Sequence, residues 1–365
     1  MADIAFATPS PLAKLSFTPI IKDNLNPATP AKTETFNPDK HLAFVNDPKK
    51  LSLKDVSLPE DIGISQVACS EPFPLFTEEA IQYMRREIFT TEVWENCLHS
   101  TRFAPCQLRG HCPKYAPFMN QAWNDPKTLA VISQVAGVDL IPNIQYEVGN
   151  INISVQSKTG DQERTQMNAS NNTSVTKWHY DAFPFVCVVM MSDATNMVGG
   201  ETAIKTGTGE ILKVRGPQMG SAVILQGRYV EHQALAAIGG AERITMITSF
   251  RPRDPCIKDD SVLTSIRPIS EHSELYYQWA KYRIEVLQER LKAIHGTLEE
   301  IHQAKKPIDV GAVKRLLAQQ EDYIAITNRE IVERSSWRQQ QPVSAAPCRI
   351  AMLESVISHE DCGGR

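Results

Sequence analysis

The chain has 365 residues, enough for one large domain or two smaller ones, with 42 % hydrophobic residues and a formal charge of −4. That balance, with a pI near 6.2, argues against nucleic acid or an anionic membrane surface as the main partner. No apolar run approaches the roughly 20 residues needed to span a bilayer.

The N-terminus, "MADIAFATPSPLAKLSF", lacks a basic segment followed by an apolar core, so no secretory signal is expected and the default location is cytoplasmic. Eight cysteines, at 69, 97, 106, 112, 187, 256, 348 and 362, contain no Cys-X-X-Cys pair. That disfavours a zinc ribbon or a dense disulfide framework and fits a reducing compartment. Residues 1–60, rich in Pro, Lys, Thr and Asn, predict an extended or partly disordered arm.

Residues 61–140 predict a helical flanking region. "FTEEAIQYMRREIFTTEVWENCLHS" offers Thr77 as N-cap with Glu78 and Glu79 in the first turn. "NDPKTLAVISQVAG" offers Asn124 or Asp125 as cap, Pro126 in the first turn and Gly137 at the stop. From 141 to 256 the texture changes to short β-like runs punctuated by Gly, Asn and Pro. "IQYEVGNINISVQ" is the first of them. "AFPFVCVVMMS" is apolar on both faces, as in a strand covered on both sides. "ETAIKTGTGEILKV" predicts a hairpin around Gly207 and Gly209; it lacks the Lys-Ser/Thr and following helix of a phosphate-binding loop. "GSAVILQGRYVEH" and "RITMITSFRP" complete the set. In the last, Ile244, Met246, Thr248 and Phe250 share one face, and Arg243, Thr245, Ile247, Ser249 and Arg251 the other.

Residues 257–340 predict a helical hairpin broken at Pro307, with Leu275, Trp279, Tyr282 and Val286 on one helix and Val313, Leu317, Ile324 and Ile331 on the other. The plain reading is packing on the β core; the sharper one is a homodimer through these helices. The tail 341–365 reads as loose.

Chemistry concentrates in "TKWHYDAFPF". His179 and Asp181, two residues apart on a strand, point to one side. Alone they are as well explained by a structural hydrogen-bonded pair. His232, 53 residues after His179 and just past another β run, adds a second imidazole. Two imidazoles and a carboxylate form the facial set of non-haem Fe(II) sites, which leaves coordination positions open. Arg243 and Thr245, on the strand after His232, can bind a carboxylate through a guanidinium and a hydroxyl. The plain alternative for Arg243 is an ion pair within the sheet. Arg251 shares its face and is an alternative anchor, although about 26 Å of strand separates the two.

"WHYD", "EH" and "RIT" resemble the pattern of the Fe(II)/2-oxoglutarate-dependent dioxygenases, and "GGET" at 199–202 resembles the turn of the prolyl-hydroxylase branch. The resemblance covers roughly residues 140–255. It implies an α+β chain with a double-stranded β-helix (jelly-roll) core flanked by helices. It implies Fe(II) on His179, Asp181 and His232, 2-oxoglutarate held by Arg243 and Thr245, dioxygen as oxidant, and hydrogen abstraction from a small-molecule substrate. Thr245 stands where Ser is commoner, and the hydroxyl is kept. Asp181 disfavours a halogenase, which has a small residue there. The stretch 177–217 also resembles oxygenases of biosynthetic gene clusters, among them ones that oxidise small amino acids such as valine, including to aziridines. Tyr146, Asn152, Phe183 and Arg228 are the candidate substrate contacts. Two other readings stay open: a non-catalytic jelly-roll scaffold using the hairpin as interface, and a zinc or cupin-like site, the latter short of its His-X-His…Glu pattern.

Overall fold

The computed structural model describes residues 34–99, 106–155, 177–194, 197–214, 218–235, 237–238 and 242–333. The expectations for 1–33 and for the tail 341–365 lie outside the described residues. The described strands, in chain order, are β1 (Lys50–Ser52), β2 (Val67–Ser70), β3 (Phe73–Pro74), β4 (Leu98–His99), β5 (Gln107–Leu108), β6 (Leu140–Pro142), β7 (Asn150–Val155) and β8 (Phe185–Met190). They continue with β9 (Val198–Gly199), β10 (Thr202–Lys205), β11 (Ile211–Val214), β12 (Ser221–Leu225), β13 (His232–Ala234), β14 (Ala237–Ile238) and β15 (Glu242–Pro252).

The mixed helix and antiparallel-sheet architecture follows from β8. With apolar side chains on both faces it must be covered on both sides. It lies inside the large sheet, whose order is β1-β2-β12-β8-β15-β7-β5-β4. One face of this sheet carries Phe185, Cys187, Val189, Ala222, Ile224, Ile244, Met246 and Phe250 into a core shared with the flanking helices. The opposite face sends Val186, Val223 and Leu225 to meet Ile204 and Val214 of a smaller sheet, ordered β11-β10-β13. The period of two along β15 therefore sorts its residues between the helices and the space between the sheets. Arg243 and Thr245 fall on the inter-sheet side, with Thr248 the polar residue on the helix side.

Helix ends obey their caps. Thr77 accepts from Ala80 N to open Glu78–Ile88, and Asp125 accepts from Lys127 N and Thr128 N to open Pro126–Ala136. Gly137 closes the latter at φ +72°, a conformation that favours glycine. The single helical segment expected over 77–100 is two helices. Thr90, in extended conformation, stops the first and caps Thr91–Cys97. The helix Pro117–Asn124 was not expected; its start is held by Glu87, which accepts from Phe118 N and Met119 N. Burial raises the Glu87 carboxyl to about 7.

Part of the expected arm is built into the fold. β1 pairs with β2, and Leu53 and Val56 are fully buried against the inter-sheet core. "IQYEVGNINISVQ" is also corrected: Gln145–Glu147 is a short 3-10 turn, and the strand begins only at Asn150.

Two C-terminal helices, His272–Gln303 and Val310–Glu330, run antiparallel. Trp279 Nε1 donates to Thr327 O, and Arg283 donates to Thr327 Oγ1 and Tyr323 O. Leu275, Trp279, Tyr282 and Val286 pack on Ile144, Ala182 and Phe183, so this pair supports the loop directly behind Asp181. On the last helix Tyr323 and Glu330 face inward, while Leu317, Ile324 and Ile331 are exposed. Arg283 and Asp259 form a buried ion pair, Nη1 to Oδ2 at 3.3 Å. Arg283→Ala leaves that carboxylate buried without its counter-charge, held only by Ser261 and Tyr282. A loss of about 3–5 kcal/mol of stability is expected, read from denaturant melts.

Candidate metal centre

The His-X-Asp segment does not start the strand that follows it. His179 sits on an isolated bridge to His232, each backbone N donating to the other's O at 3.0 Å, so it extends the smaller sheet beside β13. The chain then bends through Ala182–Pro184 and enters the large sheet as β8. Asp181 N donates to Gly227 O at the turn between β12 and β13. The two sheets thus meet at the three side chains.

His179 Nε2 lies 3.6 Å from Asp181 Oδ1, and His232 Nε2 lies 3.5 Å from Asp181 Oδ2. One donor atom from each residue falls within 4.8 Å of the others. These spacings are longer than good hydrogen bonds, and the buried Asp181 Oδ2 has no hydrogen-bond partner. A satisfied structural pair would not leave it so. His179 Nδ1 faces Lys177 O at 2.8 Å and His232 Nδ1 faces Val230 O at 2.9 Å. Two carbonyls accept only if both Nδ1 carry the proton, which turns both Nε2 lone pairs toward Asp181. Burial raises the Asp181 carboxyl; only imidazoles carrying a second proton on Nε2, His232 first and then His179, would outweigh it and hold the carboxyl below its usual range. Two neutral imidazoles and a carboxylate on one side are a fitting donor set for a divalent first-row metal with open positions.

Gly227 was not anticipated. A Cβ there would stand 1.9 Å from Asp181 Oδ2, so the glycine is required for space. Gly227→Ala must push the carboxylate out of place. At least a tenfold loss of Co(II) affinity with an unchanged circular dichroism spectrum is expected, measured by absorption titration.

Arg243 and Thr245 line a cleft between the sheets with Val188, Met190, Thr202, Val214, Ser221 and Val223; about 330 Å³ lies between its walls, part of it open to solvent. Thr202 is two residues from Ile204, which is directly opposite His232. The cleft therefore begins about 7 Å along the strand from the histidine row, within the reach of a five-carbon diacid. Arg243 Nη2 donates to Gly200 O at 3.1 Å, while its buried Nε has no partner. Among the described residues it forms no salt bridge within 4 Å. Burial lowers its pKa, and the charge of Glu201 opposes the shift. Arg251 does not reach this cleft. It lies over the Tyr282 ring and donates to Asn143 O and Pro252 O at the other end of β15.

Of the expected substrate contacts, Asn152 is opposite Thr245 and accepts from Gln107 Nε2 at 2.7 Å. Tyr146 Oη accepts from Glu271 N and faces His99. Phe183 is buried among the C-terminal helices. Arg228 Nε donates to Asp260 O. A polar group around Asn152 was missed. Arg109 pairs with Glu147, whose Oε2 accepts from Asn150 Nδ2 at 3.0 Å, with Ser249 Oγ at 3.5 Å. Burial raises the Glu147 carboxyl, and Arg109 opposes this. Gln107 Oε1, Arg109 Nε and Asn150 Oδ1 are buried without partners. The alternation Asn150-Ile151-Asn152 was the available signal, since period two puts both amides on one face.

No protein-family model and no curated protein matches the chain. Solved structures to which it is similar include SnoN, a non-heme alpha-ketoglutarate-dependent epimerase from nogalamycin biosynthesis, at 14 % identity, 51 % of this chain, 78 % of that one and a TM-score of 0.38. A prolyl-4-hydroxylase of Pseudomonas putida matches at 16 % identity, 51 % and 93 % coverage and a TM-score of 0.32. HygX from Streptomyces hygroscopicus, with nickel, 2-oxoglutarate and hygromycin B bound, matches at 14 %, 51 % and 83 % coverage and 0.32. These likenesses are loose, and the chemistry of the chain is read from its side chains.

Proposed function

We propose that this chain is an Fe(II)/2-oxoglutarate-dependent oxygenase with a jelly-roll core formed by the two facing sheets. The observation that carries the reading is the convergence of His179, Asp181 and His232, with an unpartnered carboxylate oxygen between two imidazoles of matched tautomer. In this reading the three residues hold Fe(II). Arg243 and Thr245 take the distal carboxylate of 2-oxoglutarate, the guanidinium supplying charge and the hydroxyl a further donor. Bound iron supplies the activation of dioxygen that lets 2-oxoglutarate be oxidised to succinate and carbon dioxide as a substrate C–H bond is broken. The protein holds the donors rigid: the carbonyls of Lys177 and Val230 orient the imidazoles, Gly227 makes room for Asp181, and the C-terminal helices support its loop.

The substrate in this reading is a small molecule, and the polar group around Asn152 narrows it. Asn150 Nδ2 is committed to a carboxylate, so its Oδ1 is an unmatched acceptor, and Arg109 Nε is an unmatched donor. A zwitterionic amino-acid head group matches both at once, its ammonium on the amide oxygens and its carboxylate on Arg109. Hydroxylation, desaturation and closure to an aziridine share the initial hydrogen abstraction, and valine is the first substrate to try. A non-catalytic scaffold would leave the converging donors without a purpose. We also place the chain in a reducing cytoplasm: Cys69, Cys97, Cys106, Cys112 and Cys187 are buried free thiols. No described helix is long and apolar enough to cross a membrane.

The test is succinate formation by anaerobically purified protein supplied with Fe(II), 2-oxoglutarate, oxygen and a panel of amino acids. Substrate-stimulated succinate is expected. Its absence across the panel, together with metal-independent or absent 2-oxoglutarate binding, rejects the oxygenase.

A further inference from the structure

The two C-terminal helices are only half used by the fold. On the first, burial ends at Val286, although the helix continues to Gln303. Most of the large exposed apolar side chains of the described residues lie on this pair, and they recur at intervals of seven. Tyr277, Ile284 and Leu291 form one row, and Val310, Leu317, Ile324 and Ile331 the other, all between 40 and 66 % exposed. A seven-residue apolar repeat on a helix is the pattern of a seam that packs against another helix. Among the described residues neither row meets another helix, because the contacts between the two helices use Tyr276, Trp279, Arg283, Tyr323 and Thr327 instead.

Both rows open to the same side. At about 100° per residue, the circumference of the first helix runs from the body (Leu275, Tyr282, Val286), through the partner helix (Tyr276, Arg283), to the exposed row. The second runs from the body (Glu330, bonded to Leu263 N and Arg267), through the partner helix (Thr327), to its own row. In antiparallel neighbours that shared order puts both rows on the outer surface, flanking the seam between the helices.

We infer that this face is the interface of a homodimer, in which two helical pairs close into a four-helix bundle. The extent of the face selects the occupant. The stretch of helix from Tyr277 to Leu298 is about 33 Å long at ~1.5 Å per residue, and two adjacent helices are about 20 Å wide. The outline is on the order of 600 Å², and side-chain relief brings the buried surface near the roughly 800 Å² per partner of a stable pair. A single added helix fills one seam and leaves one row partly wet. A second copy presents the same two rows and buries both through a two-fold axis. The interface is independent of the metal centre.

Sedimentation equilibrium of the full chain tests it. A mass of twice 40.7 kDa is expected, and Ile284→Glu with Ile324→Glu should weaken association at least a hundredfold. Ile284→Ser with Ile324→Ser should weaken it less while keeping the wild-type melting temperature, which guards against a merely unfolded variant. Co(II) affinity should be unchanged in both. A monomeric wild-type chain, or substituted chains that still pair, overturns the proposal. So does a monomer that begins to associate only when residues 334–365 are removed, since that segment would then be the occupant.

Discussion

Asp181→Ala is expected to abolish Fe(II)- and 2-oxoglutarate-dependent succinate formation and to cut Co(II) affinity by about a hundredfold or more. The lower bound is physical: loss of an outer hydrogen-bond partner of a ligand already costs 10–100-fold in comparable sites, and here a ligand itself is removed. Asp181 also supplies the negative charge that two neutral imidazoles cannot. His179 and His232 would remain, bridged through their backbones at 3.0 Å in each direction, so the fold should persist. Circular dichroism and the melting temperature separate the two roles. A variant that melts early but binds cobalt normally identifies a structural His–Asp pair and removes the metal reading.

Arg243→Ala should act differently. Metal affinity should stay within about threefold of wild type, while the 2-oxoglutarate concentration needed for half-maximal turnover rises by about 30-fold to 1,000-fold. That range follows from about 2–4 kcal/mol, within the 2–5 kcal/mol that losing one partner of a buried, hydrogen-bonded charge pair costs, at about 1.4 kcal/mol per tenfold. Arg243→Lys should recover only part of it, because an ammonium lacks the planar fork that meets a carboxylate with two bonds. Calorimetric titration of 2-oxoglutarate into Zn(II)-loaded protein gives the same comparison without turnover. Unchanged binding in both variants would remove Arg243 from the cleft's chemistry.

Much of this was legible along the chain. The caps at Thr77 and Asp125, the stop at Gly137 and the hairpin around Gly209 each depend on residues within a few positions, and local conformation obeys local chemistry. The doubly buried β8 was legible because an apolar run has no solvent face to offer. Arg243 and Thr245 could be placed on one face of β15 because a strand's period is two. The break at Thr90 was hidden in a continuous helical pattern, and Pro117–Asn124 begins without a side-chain cap of its own; its start depends on Glu87, thirty residues away.

Residue order alone could propose three metal donors, because imidazole and carboxylate are the side chains that such an ion requires. It could not show that they converge. That depended on His179 joining β13 across a bridge while β8, a few residues later, joins the opposite sheet. It also depended on a glycine at 227 leaving space for one carboxylate oxygen. The same holds for Arg251, whose place over Tyr282 at the far end of β15 is set by the C-terminal helices, and for the pairing of Arg109 with Glu147 from a separate part of the chain. Period and composition act between neighbours in sequence. Convergence is set by which strands exchange hydrogen bonds across long loops, and those pairings exist only once the two sheets have packed.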